Sequence, residues 1–308
     1  MPKHSTDWFA ELEPVVANLL DRHLSMAQEW FPHQYVPWGR GRDYDGPLEG
    51  VAWQDAQSAL SPVAKSALVL SVLTEENLPA YHHRLAANGP RDNAWDEWLH
   101  RWTAEEDRHS TVMLSYIHTT RAVDPIALER ARMRYMSTPP RPDDLPSDPL
   151  HGLAYVMIQE LATRVAHRNT GLHCGESVCA RLFARVAQDE NLHMVFYRDL
   201  YAALLDRMPD QAMAGLWRAV NGFRMPGQTI PGFAEMNARV ALAGWYDLEI
   251  FHNDVLTPLI KALRIHERTD LGPQGERDRG ELLTYTERLH RTSIRFRERR
   301  PATLVQER

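Results

Sequence analysis

Glu106 and His109, in the stretch TAEEDRHS (103–110), stand three residues apart, so on a helix both side chains leave the same face. A carboxylate and an imidazole placed this way can share a metal ion, or can be an ordinary surface pair. Spacing alone does not decide. With 15 His in 308 residues, about one such pair arises by accident. The chain holds Glu97/His100, Glu106/His109, Glu190/His193, Glu249/His252 and Glu287/His290.

A two-metal site inside a helical bundle asks for a lone Glu from each of two helices and a Glu-x-x-His from each of two others. Each true pair then follows a helix carrying a solitary Glu. Glu75 lies 31 residues before Glu106, and Glu160 lies 30 residues before Glu190. The two half-sites repeat at 85 and 84 residues. At the same offsets Glu97 finds Ser66 or Ala67, Glu249 finds Arg218 or Ala219, and Glu287 finds Leu256 or Thr257. Those three pairs are read as helix-surface or core-satisfied residues. Glu75, Glu160 and Glu190 also sit among apolar residues at helical spacing (Leu68 and Val72; Val156 and Met157; Val186 and Met194). Carboxylates on such faces are costly unless paired or bound to metal. The candidate ligands are therefore Glu75, Glu106, His109, Glu160, Glu190 and His193.

Carboxylates with one imidazole per metal suit iron, with manganese as the alternative, better than zinc or copper. Six protein ligands for two metals leave open positions, and open positions on reduced iron mean dioxygen chemistry. The residues thus predict an O2-activating di-iron helical bundle. Storage ferroxidases, ribonucleotide reductase small subunits, monooxygenase hydroxylases and acyl desaturases all share that description, and fold alone does not choose among them.

The elements that position these residues are helices. Pro- and Gly-rich stretches at 30–50, 137–149, 224–233 and 271–280 separate long segments of helical spacing. Helices are predicted at about 9–29, 62–88, 94–120, 124–136, 150–170, 175–207, 210–222, 233–264 and 280–298. No strand–helix alternation suggests a parallel sheet. The expectation is an all-α, ferritin-like four-helix bundle with additional helices and a long crossover at 121–149. It forms a single domain over 1–308, with the di-iron core at about 62–207.

At 44% hydrophobic and 25% charged, the chain can bury a sizeable core. A net charge of −6 argues against nucleic acid as the main partner. Cys174 and Cys179 make neither a disulfide framework nor a zinc site, and are read as packing between helices. The opening MPKHSTDWFAELEPVV has no apolar signal core, and no run approaches a membrane span, so a cytoplasmic protein is expected.

Several stretches carry a more specific resemblance: TEENLPAYH (74–82), RWTAEEDRH (101–109), IQELATRVAHRNTG (158–171) and DENLHMVFYRD (189–199), with ELEPVV (11–16) and EWFPHQYVPW (29–38). Through them the chain resembles the soluble acyl-carrier-protein desaturases, most of all their actinobacterial branch, from about residue 9 to about 298. The resemblance maps the six residues onto that family's iron ligands. It implies a ferredoxin-type electron donor, O2, and removal of two hydrogens from a saturated chain delivered on acyl carrier protein, leaving a cis double bond. It also implies a homodimer. A hydroxylase or a non-catalytic metal-binding relative on the same scaffold is the alternative.

The resemblance further assigns Thr163 a place near the O2 site, Asp189 the orientation of a ligand His, and Trp30 a link from Asp189 as an electron route. For each an ordinary reading exists: a hydroxyl bonded to its own helix, a solvated acid, and loop packing. Tyr197 stands one turn from His193, but a radical role would need a tyrosine beside the first-half His, and position 113 is Met. Tyr81, Gly152, Leu153 and Met157 are the expected walls of an acyl tunnel. Arg84 departs from the apolar residue of plant members. Arg84, Arg91, Arg101 and Arg108 are candidates for docking an acidic partner, or simply a solvated face.

Overall fold

The computed structural model describes residues 7–139, 146 and 148–299, and among these every long element is a helix. The described residues hold no strand beyond one isolated bridge between Tyr44 and Val51. The helices are α1 (Asp7–Met26), α2 (Pro62–Glu76), α3 (Leu78–Asn88), α4 (Ala94–Thr120), α5 (Pro125–Met136), α6 (Pro149–His173), α7 (Ser177–Arg207), α8 (Pro209–Gly222), α9 (Phe233–Leu242), α10 (Leu248–Ile250), α11 (Thr257–Ala262) and α12 (Pro273–Arg299). Among the described residues no helix is long and apolar enough to cross a membrane.

Local chemistry sets the starts. α2, α5, α6, α8 and α12 open on proline, whose missing N–H costs nothing in a first turn. Asn93 caps α4 by accepting from the N–H of Trp95 and Asp96. Asp148 caps α6 through His151 N–H, and Glu176 caps α7 through Val178 and Cys179 N–H. Four long helices make the centre: α2 packs on α4, α6 on α7, α4 on α7 and α2 on α6. α1 lies over α4 and α7, α9 covers α2, and α8 with α12 behind it covers α6.

Three expected elements differ in the structure. The helix expected at 62–88 is two, broken at Asn77, two residues after Glu75. Pro79 explains the break: it has no N–H for the Glu75 carbonyl, and its ring would clash there. The helix expected at 233–264 is interrupted at Gly244 (φ 74°), then passes through a π-helical turn, Phe251–Leu256, ahead of Pro258. α12 begins at Pro273 rather than near 280. Gly275, read as part of a loop, is helical; a Cβ there would meet Asp210 Oδ1 at 2.2 Å, so the glycine serves close packing against the start of α8. The crossover at 121–149 contains α5, and its residues 140–145 and 147 lie outside the described residues.

The core divides around the candidate ligands. On α4, Trp98 and Trp102 belong to one apolar cluster, Val112 and Met113 to another. On α7, Phe183 and Val186 belong to the second cluster, Met194 and Phe196 to the first. The interval between them, on each helix, holds a Glu-x-x-His pair.

Candidate metal centre

Six side chains from four helices converge between these clusters. Glu75 comes from α2, Glu106 and His109 from α4, Glu160 from α6, and Glu190 and His193 from α7. All are buried; Glu160, Glu190 and both histidines are at most 1% exposed. Two groups of four each bring their ligand atoms within 4.8 Å of one another: Glu75, Glu106, His109 and Glu190, and Glu106, Glu160, Glu190 and His193. Glu106 and Glu190 belong to both. The two oxygens of Glu106 face different rings, Oε1 at 2.7 Å from His193 Nδ1 and Oε2 at 3.6 Å from His109 Nδ1. Glu190 Oε1 lies 3.5 Å from His109 Nδ1.

These groups fit a cation pair. Nδ1 of His109 and of His193, Oε1 of Glu106 and of Glu190, and Oε2 of Glu160 are buried with no hydrogen-bond partner. Polar atoms sealed from water are normally satisfied, so five orphans pointing at one volume signal a missing positive centre. The donor set, four carboxylates and two imidazoles, suits iron or manganese.

Outer carboxylates hold the two rings. His193 Nε2 donates to Glu105 Oε2 at 2.9 Å, and a carboxylate can only accept, so Nδ1 keeps its lone pair toward the centre. His109 Nε2 lies 3.5 Å from Asp189 Oδ2. The arrangement is reciprocal: the acid preceding the Glu ligand on one helix faces the ring of the other helix. Asp189 is gripped by Trp30 Nε1 (2.7 Å), Arg108 (3.3 Å) and Arg185. Glu105 is gripped by His23 Nε2 (2.9 Å) and Arg101. Of these, Asp189 and Trp30 were singled out in the sequence. Glu105 and His23 were not, nor was His167, whose Nε2 lies 2.9 Å from Glu75 Oε1. Glu105 had a visible signal, since it precedes Glu106 as Asp189 precedes Glu190. Arg101 and Arg108, candidates for docking, pair with Glu105 and Asp189.

Burial, then the charges of Glu106 and Glu190, raise the carboxyl of Glu75 well above its ordinary range. Burial and Glu106 raise Glu190. Burial would also raise Glu106, but the His109 and His193 rings outweigh it and hold it low. Burial opposes charging of His109 and His193, yet their carboxylate partners raise both. Burial and the neighbouring His109 lower His167 to about 3. Glu75, Glu190, His109 and His193 thus bind protons more tightly folded than unfolded. Their contribution to stability is present at low pH and is lost as pH rises through the folded values. Glu106, Asp189 and Glu105 are depressed and act oppositely, losing their contribution only as pH falls below the ordinary carboxylate range. The metal-free chain is therefore expected to lose stability as pH rises past about 6.5, the ordinary His value. Metal replaces those protons, so the Tm gain on adding Mn(II) should grow with pH. A gain that stays flat across neutral pH would contradict this proton–metal exchange.

A cavity of about 500 Å³ adjoins the centre. Trp102 forms part of its wall and donates from Nε1 to Glu160 Oε1 at 3.1 Å, so one indole stands between the cavity and a candidate ligand. Tyr81, Gly152 and Leu153 line it, with Val156 and Tyr197. Met157, expected on the wall, is instead fully buried in the adjoining core and does not line this cavity. Arg84 stands on the wall, its guanidinium 5.1 Å from the Tyr81 ring centre. Thr163 donates to the Gln159 carbonyl at 2.9 Å, an ordinary helical bond that leaves its oxygen free to accept. Tyr197 is buried beside Trp98 and Phe196.

Of the pairs set aside in the sequence, Glu97 and Glu287 are exposed and Glu249 pairs with Arg297.

The chain matches the fatty acid desaturase family over residues 4–308. It is 43% identical over 278 residues to a Mycobacterium tuberculosis protein named as an acyl-[acyl-carrier-protein] desaturase, DesA1, covering 88% of this chain and 82% of that one. It is 30% identical over 230 residues to the rice chloroplastic acyl-[acyl-carrier-protein] desaturase 3, covering 71% of this chain and 56% of the relative. The crystal structure of DesA2 from Mycobacterium tuberculosis H37Rv superposes with a TM-score of 0.72 at 27% identity, over 88% of this chain and 98% of that one. The helical bundle is thus the ferritin-like fold expected from the half-sites, and the chain belongs to the fatty acid desaturase family.

Proposed function

We propose that this protein introduces a cis double bond into a saturated acyl chain presented on acyl carrier protein, using O2 and two iron ions held by Glu75, Glu106, His109, Glu160, Glu190 and His193. The observation that carries the proposal is the pair of buried Glu/His groups sharing Glu106 and Glu190, with an apolar cavity beyond the Trp102 indole that bonds Glu160. Iron bound there supplies the redox chemistry with O2, with electrons from a ferredoxin-type donor; manganese suits the same donor set. The chain's own groups do the rest. The cavity walls hold the acyl chain and exclude water. Asp189 and Glu105 fix the tautomer and tilt of the ligand rings. Trp30, bonded to Asp189 and flanked by the guanidinium groups of Arg108 and Arg185, supports an inward electron path. By family resemblance the proposal extends to a single domain over residues 1–308, acting as a homodimer in the cytoplasm.

Thr163, one turn beyond Glu160, is assigned proton delivery near the O2 site. Thr163→Val should bind the same metal per chain yet form less product per O2 consumed. Unchanged coupling would remove the assignment. Leu153 lines the cavity, and a bulkier side chain there would take up its space, so Leu153→Trp should favour shorter chains, by about fourfold per methylene excluded. Mass analysis of products from chains of graded length reads this directly, and an unaltered length profile would place the acyl chain elsewhere.

The deciding experiment incubates iron-loaded protein with reduced ferredoxin, O2 and saturated acyl carrier protein thioesters. A released chain lighter by two hydrogens is the expected result. A chain heavier by one oxygen atom would make the protein a hydroxylase. Metal uptake and O2 consumption without an altered chain would overturn the substrate.

A further inference from the structure

We propose that the exposed face of α5 is the docking surface for the carrier protein, and that the groove beside it takes the carrier's phosphopantetheine arm. The proposal rests on the reading of the substrate, above, as a carrier-bound thioester. A groove of about 350 Å³ is lined by the end of α5 and by residues of the 222–229 segment. Its lining and that of the apolar cavity share Tyr81, Arg84, Pro146 and Tyr155, so the two spaces meet there. Polar contacts order the junction. The hydroxyls of Tyr81 and Tyr135 are 3.3 Å apart, and Arg84 stands by the Tyr81 ring with its Nε bonded to the Ala80 carbonyl at 3.1 Å.

The two spaces differ in chemistry. Trp95, Trp98, Leu99 and Leu200 line the cavity. Asn77, Ser137, Thr138, Gln228 and Thr229 line the groove. Ser137 and Thr138 each donate to a carbonyl of α5 at 2.6 Å, so their oxygens remain able to accept. The cavity suits an acyl chain. The groove suits a phosphopantetheine arm, with its amides and hydroxyl. A chain held in the cavity with its thioester at Tyr81 and Arg84 leaves its arm in the groove and its carrier on the surface alongside.

The helix that forms one wall of the groove also carries unpaired positive charge. On α5, Ile126, Arg130, Met133, Arg134 and Ser137 share the exposed face, opposite buried Leu128 and Tyr135. The guanidinium groups of Arg130 and Arg134, and of Arg224 on the groove wall, have no ion-pair or hydrogen-bond partner among the described residues. In a chain of net charge −6 this is a local basic face. Its complement is an acidic surface, such as the helices of an acyl carrier protein present. A second copy of this chain suits it poorly, because a two-fold contact would set these arginines against their own copies. A lipid surface would suit the arginines with exposed Ile126 and Met133, but not the polar groove through which its chain would have to pass.

The test reads binding and needs no turnover. Acyl carrier protein charged with a saturated chain and labelled with a fluorophore is titrated with the intact, iron-loaded protein, and anisotropy gives Kd at two salt concentrations. Arg130→Glu/Arg134→Glu should weaken binding by about tenfold or more and flatten its salt dependence. The same charge change on α12, Arg291→Glu/Arg295→Glu, should leave Kd within about twofold. An unchanged Kd in the α5 variant, or an equal loss in the α12 variant, would overturn the docking face. With Kd unchanged, lost binding to phosphatidylglycerol vesicles would assign the face to lipid, and dissociation of a dimer would assign it to a second copy. If the reversed variant loses helical circular dichroism, the neutral Arg130→Gln/Arg134→Gln replaces it, with about a threefold loss expected. The arm is tested separately. The carrier with its arm should bind more tightly than the armless apo-carrier, and Ser137→Trp, which fills the groove, should remove most of that difference. A difference that persists would place the arm elsewhere. Tight carrier binding by the wild type without any altered chain would leave the docking face standing and overturn the desaturase reading instead.

Discussion

A chain carrying Glu106→Ala is expected to retain neither ion of the proposed metal pair, whereas one carrying Glu75→Ala keeps about half of its metal. The difference follows from membership. Glu106 and Glu190 belong to both four-residue groups, while Glu75 and Glu160 belong to one each. Glu106 presents one oxygen toward each ring, at 2.7 Å and 3.6 Å from the two Nδ1 atoms. If each group holds one ion, its removal would take a ligand from both and one negative charge from the centre. The affinity loss should exceed the roughly 10–100-fold that follows loss of an outer partner. Desaturation should fall with it. Metal per chain, measured after anaerobic loading with Fe(II) and desalting, reads the effect. Glu190→Ala should match Glu106→Ala, and Glu160→Ala should match Glu75→Ala. If all four variants lost the same amount of metal, the shared roles of Glu106 and Glu190 would be wrong. Loss of helical circular dichroism in a variant would mark misfolding instead.

The six central residues were legible because bundle geometry repeats. A hairpin of two long helices places a lone Glu about thirty residues before each Glu-x-x-His, and accidental pairs lack that partner. Glu105 was legible by the same repeat, through its likeness in position to Asp189, but an acid beside an acid in TAEED reads as ordinary helix surface. His23 and His167 carry no such mark. His23 reaches Glu105 from 82 residues away, and that approach is set by how α1 lies across α4 and α7. The ion pairs of Arg101 and Arg108 were hidden for a related reason. A basic residue one turn from a buried acid can point out or in, and only the acid's own burial decides. Helix breaks were legible where proline opened a helix and missed where proline lay one turn inside an apolar run, as Pro79 does. Gly275 was missed because a glycine needed for close packing looks like a glycine needed for a turn. Gly152 and Leu153 line the cavity while Met157, one turn after Leu153 on the same face, is packed in the core, a difference that helical spacing does not reveal.

The outer carboxylates lead to the second large effect. Asp189→Ala is expected to destabilise the metal-free chain by about 3–5 kcal/mol. Asp189 is 3% exposed and is the charged partner of Arg185, itself 6% exposed. Without it the Arg185 guanidinium stays buried beside the Trp30 ring, with only the neutral Gln188 carbonyl oxygen at 2.8 Å. Trp30 Nε1 also loses its acceptor. Urea unfolding of the metal-free variant reads the cost. Its origin is separable, because replacing a buried ion pair by apolar groups is often nearly neutral, while breaking it is not. The double variant Arg185→Met/Asp189→Ala should therefore be more stable than Asp189→Ala alone. Metal affinity should behave differently. His109 still lacks its Nε2 partner in the double variant, so binding at the His109 group should stay about 10–100-fold weaker in both. Glu105→Gln should transfer that weakening to the His193 group. If the double variant regained metal affinity along with stability, Asp189 would matter to the site only through folding, and its role in orienting His109 would have to be abandoned.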